Sequence, residues 1–183
     1  MIWSPGTFEI RELAPEMDVP VIHPWFDLPH FQYWNMAGMT TEAVLSFYKT
    51  MQASLHKWAW VGTKNREICF VIECYNPLND EIAKHYQVVP GDIGMHFCVA
   101  PATTNQSGYT LDAMRHVMHY LFNVVNAQRV IVEPDIRNEK VRALNRRVGF
   151  EEVGPISLPS KQAMLSIATR SAFEVTLTHS GRI

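Results

Sequence analysis

One histidine stands among small residues on a predicted strand at residues 92–100, D-I-G-M-H-F-C-V-A. Alternate side chains of a strand point to opposite faces of the sheet. One face then carries the bulky residues, and the other carries Gly94, His96, Cys98 and Ala100. This second face predicts the floor of a groove rather than packed core. Histidine can accept a proton near pH 7, which makes His96 a candidate general base.

A glycine-containing loop follows this strand, which Pro101 ends. The loop reads T-T-N-Q-S-G-Y-T, and Gly108 stands just before a predicted helix at 111–126. Backbone amides at the start of a helix, together with the helix dipole, suit a pyrophosphate group. A single glycine before a helix is common, so the pattern by itself fits an ordinary capped loop equally well.

The composition predicts one globular domain over residues 1–183. Hydrophobic residues make up 47% and charged residues 19%, and 16 basic against 18 acidic side chains give a net charge of −2. This balance argues against nucleic acid or an anionic membrane as a partner. No apolar run approaches the roughly 20 residues of a membrane span, and no signal peptide is visible. The sequence therefore predicts a cytoplasmic location.

The cysteines and the paired histidines indicate neither a disulfide framework nor a metal site. Three cysteines (Cys69, Cys74 and Cys98) are too few for such a framework and predict reduced, buried thiols. His116 and His119 lie one turn apart on the helix at 111–126. A metal would need further ligands, and none is evident, so we expect no metal and interpret the pair as part of a solvated helix face.

Hydrophobic periodicity predicts helices at 41–55, 111–126 and 138–147. It predicts strands at 7–12, 57–62, 67–75, 92–100, 129–133, 150–157 and 162–168, with a short helix near 79–85. Five of the eleven prolines lie within the first thirty residues, which excludes a long helix there and predicts an extended, aromatic-rich loop over 21–36. The alternation of strands and helices in the middle of the chain predicts an α/β sandwich with a mixed sheet.

Several motifs resemble the GNAT superfamily of acyl-CoA-dependent N-acyltransferases. The loop Asn105–Thr110 stands where that superfamily has [Gln/Arg]-x-x-Gly-x-[Gly/Ala]; the central Gly108 is kept, whereas Asn105 and Thr110 depart from the pattern. Three further stretches resemble its siderophore-biosynthesis branch: H-P-W-F-D-L-P-H-x-x-Y-W-x-M at 23–36, G-M-H-F at 94–97 and V-E-P-D-I-R-N-E-K at 132–140. The resemblance covers about residues 7–175.

The resemblance implies a GNAT fold, with a mixed and mostly antiparallel central sheet flanked by helices. It also implies an acyl-CoA donor (acetyl-CoA or succinyl-CoA) and an N-hydroxylated amine acceptor, which becomes a hydroxamate in siderophore biosynthesis. His96 would be the general base, and Asp135 would orient the imidazole or bind substrate. Without the resemblance, Asp135 would be interpreted as a cap for the helix that begins near Asn138.

The resemblance also implies two binding surfaces. Acyl-CoA would contact Phe97, Val99, Asn105, Gln106, Ser107, Gly108, Tyr109, Thr110 and Asn138. Segment 13–38 would form an acceptor-side loop whose slot is lined by His23, Trp25, His30 and Trp34. The alternative for this segment is a proline-stiffened flap that fills the edge of the sheet. A distal ammonium group of the acceptor has three acidic candidates, namely Asp27, Glu73 and Glu133.

Alternatives to this function stay open at the level of the sequence. The compact chain favours an N-hydroxycadaverine-like acceptor, with N6-hydroxylysine as the alternative. A GNAT enzyme for another amine and a non-catalytic acyl-CoA-binding module are the more distant possibilities. Direct transfer is expected, although Cys98 shares a face with His96 and would permit an acyl-cysteine route. A siderophore synthetase, fused or separate, is a further candidate partner.

Overall fold

The computed structural model describes residues 8–34, 36–101 and 108–179. These ranges contain the helices α1 (Pro15–Ile22), α2 (Thr41–Gln52), α3 (Tyr109–Asn123), α4 (Glu139–Arg147) and α5 (Arg170–His179). They contain the strands β1 (Glu9–Glu12), β2 (Lys57–Lys64), β3 (Glu67–Tyr75), β4 (Asp92–Val99), β5 (Arg129–Val132), β6 (Phe150–Leu158) and β7 (Lys161–Thr169). Short 3-10 helices lie at His23–Trp25, Pro29–Phe31, Pro77–Asn79 and Glu81–Lys84.

The strands form a mixed sheet in the order β1-β2-β3-β4-β5-β7-β6. The pairs β1–β2, β5–β7 and β6–β7 are antiparallel, whereas β4 and β5 are parallel. This confirms the predicted α/β class with a mixed sheet. The chain divides into two compact units. The first unit contains Phe8–Cys74 and the chain from His96 to Pro101, and the second contains Tyr75–Met95 and the chain from Gly108 onward.

In the first unit, β2 and β3 form a hairpin. Its two turn residues, Asn65 and Arg66, have φ angles of 53° and 69°. Positive φ at both central positions matches the twist of the two strands, which is why such turns join hairpins. The helix α2 packs against this hairpin, and the Thr40 side chain accepts a hydrogen bond from the Ala43 amide at 3.2 Å. Thr40 thus caps the start of α2.

The prediction of an extended loop over residues 21–36 is wrong. The chain forms α1 and then two 3-10 helices, each with a proline in its first turn. Proline lacks an amide hydrogen, but the first turn of a helix leaves its amides unpaired in any case, and the fixed φ suits the helix. Pro15, Pro24 and Pro29 therefore begin these short helices.

A buried carboxylate anchors the start of α1. Asp18 accepts two hydrogen bonds from the Arg11 guanidinium, both at 2.7 Å, and a third from the Ala14 amide at 2.7 Å. The bidentate pair supplies the donors that a buried carboxylate requires. It fixes the beginning of the aromatic segment, residues 13–38, to β1.

In the second unit, α3 buries one apolar face, with Leu111, Met114, Met118 and Leu121 in the core. The start of β4 is joined to β5 by Asp92, whose carboxylate accepts two hydrogen bonds from Arg129 at 2.7 Å and one from the Tyr86 hydroxyl at 3.1 Å. The helix α5 was not predicted. Among the described residues, no helix is both long enough and apolar enough to cross a bilayer.

Candidate active site

His96 lies on β4, and its side chain is 41% exposed. Its Nδ1 is 3.6 Å from Oε2 of Glu73, which lies on β3 of the same unit. The indole of Trp34 meets the imidazole edge-on, with ring centroids 6.3 Å apart. The histidine is therefore reached by solvent and held between an aromatic ring and a carboxylate. This is an environment in which an imidazole can exchange a proton.

Glu73 is buried on β3, in a run of apolar side chains. The Tyr48 hydroxyl of α2 donates a hydrogen bond to Oε1 of Glu73 at 2.8 Å. Burial and the nearby Glu73 charge raise the pKa of Tyr48 well above its usual range, so the phenol keeps its proton. From the sequence alone, Glu73 is a candidate only for binding a distal ammonium group. The one acidic residue in I-C-F-V-I-E-C was the available signal.

The prediction that small residues around His96 leave an open groove floor is wrong at Gly94 and Cys98. A Cβ atom at Gly94 would lie 2.1 Å from the Tyr75 ring. The tyrosine ring therefore packs directly against the backbone of this glycine. Cys98 is buried in the apolar core of the first unit. Burial first, and then the Glu73 charge, raises the pKa of its thiol well above the usual range. A small side chain on a strand therefore marks close packing here.

The aromatic segment packs mostly as core. Trp25 is buried in the cluster that contains Phe26, Phe31 and Met36, and Trp34 lies against this cluster, stacked on Phe26. Nε1 of Trp34 is buried and has no hydrogen-bond partner among the described residues. Trp34, one of the four predicted slot residues, contacts His96.

His23 and His30 have different positions. Nε2 of His23 lies 2.7 Å from the carbonyl oxygen of Met39, and its Nδ1 lies 3.2 Å from the Thr41 hydroxyl. Both ring nitrogens are thus bonded within the chain, which indicates a structural link rather than a slot wall. His30 lies in the 3-10 helix Pro29–Phe31, and its side chain is outside the described part of the chain.

Asp135 follows β5 in the second unit and is paired with Arg137. Its Oδ1 accepts hydrogen bonds from the Arg137 amide at 2.9 Å and from Nε at 2.8 Å, and its Oδ2 accepts one from the guanidinium at 2.7 Å. These hydrogen bonds lower the pKa of Asp135 to about 2. The helix-cap alternative for Asp135 is wrong, because the side chain of Asn138 caps α4 by accepting from the Val141 amide at 3.3 Å.

The other acidic candidates for an ammonium group also have partners. Glu133 is buried, accepts a hydrogen bond from the Tyr75 hydroxyl at 2.9 Å and lies 3.8 Å from Nζ of Lys161. Asp27 accepts a hydrogen bond from the Gly38 amide at 2.9 Å on the surface.

The predicted CoA residues are described only in part. Asn105, Gln106 and Ser107 lie outside the described residues. Gly108 has a φ of +87° and precedes α3. Within the described part of the chain, the start of α3 has no side-chain cap, and no atom lies within 4 Å of where a Cβ of Gly108 would be. Tyr109 and Thr110 form the first turn of α3. Phe97 and Val99 lie on β4 beyond Gly94, where the parallel ladder with β5 ends.

The paired histidines of α3 are partly buried, and burial lowers the pKa of both His116 and His119. Within the described ranges, no group of three or more His, Cys, Asp or Glu side chains could hold a metal ion.

The parallel strands β4 and β5 of the mixed sheet are joined in sequence through α3, which begins at the left-handed Gly108. The chain belongs to the acetyltransferase (GNAT) domain family, which residues 14–158 match. This confirms the family on which the sequence analysis based its fold.

Two relatives and one solved structure are similar over most of the chain. An N(6)-hydroxylysine O-acetyltransferase of Escherichia coli is 26% identical over 165 residues, which are 89% of this chain but 52% of that protein. An N-hydroxyputrescine acetyltransferase of Acinetobacter baumannii is 23% identical, over 91% of this chain and 80% of that protein. The aminoglycoside acetyltransferase AAC(6')-Ib in complex with coenzyme A has a TM-score of 0.79 at 22% identity, with 92% of this chain and 98% of that chain covered. The chain thus spans about half the length of the first relative.

Proposed function

We propose that this chain transfers an acyl group from acyl-CoA to the hydroxylamine nitrogen of an N-hydroxydiamine and so forms a hydroxamate. The observation that carries the proposal is a partly exposed imidazole, His96, whose Nδ1 faces a buried carboxylate. The two similar proteins named for hydroxylysine and hydroxyputrescine support an N-hydroxylated acceptor. N-hydroxycadaverine is the preferred acceptor type, and N6-hydroxylysine is the alternative.

The reaction requires that the hydroxylamine and the thioester be oriented and that one base accept a proton. A hydroxylamine nitrogen is less basic than an alkylamine, so it is mostly unprotonated and nucleophilic at neutral pH. Its lone pair attacks the thioester carbonyl, the C–N bond forms, and the C–S bond breaks. His96 takes the proton that the nitrogen loses, and the departing thiolate of CoA is protonated from the imidazolium or from solvent. Positioning of the two reactants contributes the rest of the acceleration.

Acyl-CoA is proposed to bind at the start of α3. Gly108 supplies an open, left-handed backbone, and the amides around Tyr109 and Thr110 point from the positive end of a 15-residue helix. Asn105, Gln106 and Ser107 complete this site in the proposal. The backbone amides of Phe97 and Val99 would hold the thioester carbonyl, and Asn138 is the remaining proposed contact. Acetyl-CoA and succinyl-CoA are both candidates.

The acceptor is proposed to lie against Trp34, which meets His96. Trp25 and His30 stay in the proposal as flanking residues, whereas the bonds of His23 favour a structural role. Asp135 is proposed to bind the acceptor as a permanently ionised carboxylate, since its low pKa makes it a poor base. A siderophore synthetase, fused or separate, is the proposed partner that consumes the product.

The test measures CoA release with the product mass confirmed. Acetyl-CoA and succinyl-CoA are each combined with N-hydroxycadaverine, N6-hydroxylysine, cadaverine and an aminoglycoside. Turnover limited to the hydroxylated acceptors supports the proposal, and the best pair identifies the substrates. Equal turnover of cadaverine or the aminoglycoside would contradict the acceptor class. Binding of CoA without turnover would favour a non-catalytic acyl-CoA-binding module.

A further inference from the structure

We propose that Glu73 is a positioning residue that sets the tautomer and the proton affinity of His96, and that Tyr48 holds Glu73 in place for this task. The inference rests on the proposed function in one respect, the role of His96 as the base. Asp135 is the other candidate for orienting the imidazole, but that carboxylate is bound at both oxygens by Arg137.

The distance between the two groups suits a pair that strengthens during the reaction. At 3.6 Å, Nδ1 of His96 and Oε2 of Glu73 are slightly beyond ordinary hydrogen-bond length. Catalytic hydrogen bonds are often long before substrate binds. Once His96 accepts a proton, the imidazolium and the carboxylate become an ion pair. The facing carboxylate also favours the tautomer with hydrogen on Nδ1, which places the lone pair on Nε2.

A hydrogen bond from Tyr48 fixes the orientation of the Glu73 carboxylate. A buried carboxylate is costly unless donors satisfy it. The Tyr48 hydroxyl satisfies Oε1 at 2.8 Å, and Oε2 is the atom on the His96 side. Tyr48 is itself fully buried in the core of the first unit, which limits the movement of its ring.

Glu73 is a carboxylate neighbour of His96, with Oε2 3.6 Å from Nδ1. Among the described residues, the Glu73 charge also acts on Tyr48 from α2, Cys74 from β3 and Cys98 from β4. Burial raises the pKa of each of the three, so they carry no charge near pH 7. Removal of the Glu73 charge therefore changes the electrostatic environment of the imidazole, and these three groups supply no charge in its place.

The experiment is a titration of the His96 ring by nitrogen-15 NMR, with the signal assigned through His96→Gln. The proteins compared are the wild type, Glu73→Gln, Tyr48→Phe and the control Glu67→Gln. Glu67 is exposed at the other end of the same strand, so its variant changes the net charge equally. We expect Glu73→Gln to lower the His96 pKa by about one unit, and Glu67→Gln to leave it unchanged. Tyr48→Phe keeps the charge and should change the pKa less.

Turnover supplies the second measurement. Glu73→Gln should reduce kcat roughly 10- to 100-fold, the usual loss for a removed supporting group. The acid limb of its profile of kcat/KM against pH should move to lower pH, because the base loses its proton more readily. Glu73→Asp should recover part of the lost kcat, which a purely structural loss would not predict.

The outcomes separate this inference from the proposed function. Absence of turnover in the wild type with every acceptor would refute the function, while the NMR titration would still test the pairing. An unchanged His96 pKa in Glu73→Gln would overturn the inference even if the enzyme is active. Should that variant fail to fold, the wild type decides: nitrogen shifts of neutral His96 must show hydrogen on Nδ1, and the opposite tautomer overturns the proposal.

Discussion

Both carboxylate oxygens of Asp135 are bound by Arg137, with Oδ1 2.8 Å from Nε and Oδ2 2.7 Å from the terminal guanidinium nitrogen. The two residues stand two positions apart in the turn after β5. A buried aspartate thereby forms an ion pair with an arginine whose side chain is 75% exposed. This relationship makes Asp135 a fixed anion rather than a proton acceptor, and it leads to the first prediction.

Asp135→Asn should lower stability near neutral pH and have little effect near pH 2. The pKa of Asp135 falls from an ordinary 3.8 to about 2 in the folded chain, chiefly through Arg137. A lowered folded-state pKa gives stability that is complete above the unfolded pKa and is lost as pH falls towards 2. With solvent screening of Arg137, the contribution is about 1 kcal/mol, or about 2–4 °C in Tm. Circular dichroism melts from pH 2 to 6 should show this loss in the wild type and not in Asp135→Asn.

His96→Ala should reduce kcat by about 10²- to 10⁴-fold, the usual contribution of a general base. The KM for acyl-CoA should change little, because other residues make the proposed contacts with CoA. Steady-state kinetics with a hydroxylated acceptor test this, and His116→Gln is the control for loss of a partly buried histidine. Wild-type turnover in His96→Ala would remove the base assignment.

Cys98→Ala should keep most of kcat. The thiol is buried, and its raised pKa leaves little thiolate to attack a thioester. We expect a loss of about 1 kcal/mol in stability from the truncated core side chain, as for other small deletions of buried atoms. An acyl adduct on Cys98, detected by mass spectrometry in a quenched reaction, would instead establish a covalent route.

Gly108→Ala should weaken acyl-CoA binding, and the chain offers a matched control in Gly38→Ala. Gly108 and Gly38 have similar left-handed backbones, with φ of +87° and +74°, and neither has an atom within 4 Å of the place that a methyl group would take. Alanine should cost each position about 1–2 kcal/mol through the backbone alone. Calorimetric titration with acetyl-CoA should show a raised Kd in Gly108→Ala only. Equal affinities in both variants would contradict a binding role for Gly108.

Gly94→Ala should destabilise the chain by about 1–3 kcal/mol, the usual range for an inserted core methyl group. The new methyl group would meet the ring of Tyr75 at 2.1 Å, and the tyrosine is held by its bond to Glu133. Urea unfolding monitored by fluorescence measures the effect. A stability equal to that of the wild type would show that the ring can move aside.

The sequence predicted the elements better than the environment of each side chain. Periodicity placed α2, α3 and β3 within a few residues, because burial of an apolar face dominates their formation. It failed at α1, where proline was interpreted as a breaker although its position in a first turn favours a helix. It also missed α5, whose apolar pattern is weak and whose buried anchor is Phe173.

In the candidate site, too, the position of a residue was predictable from the sequence, whereas its neighbours in space were not. His96 was recognisable because a lone histidine interrupts an apolar strand. Its partner Glu73 lies 23 positions earlier and is brought near by strand pairing, which single-sequence patterns do not encode. Likewise, alternation predicted which residues share a face with His96, but it could not show that Tyr75 covers Gly94.

The packing of the aromatic segment has a thermodynamic consequence. Trp34 rests on Phe26, and the neighbouring Trp25 and Phe31 are already buried before any acceptor arrives. With the acceptor against Trp34, as proposed, this packed segment would spare acceptor binding the cost of ordering a loop. Acceptor binding should therefore show only a small heat-capacity change, in proportion to the modest apolar area that remains to be covered.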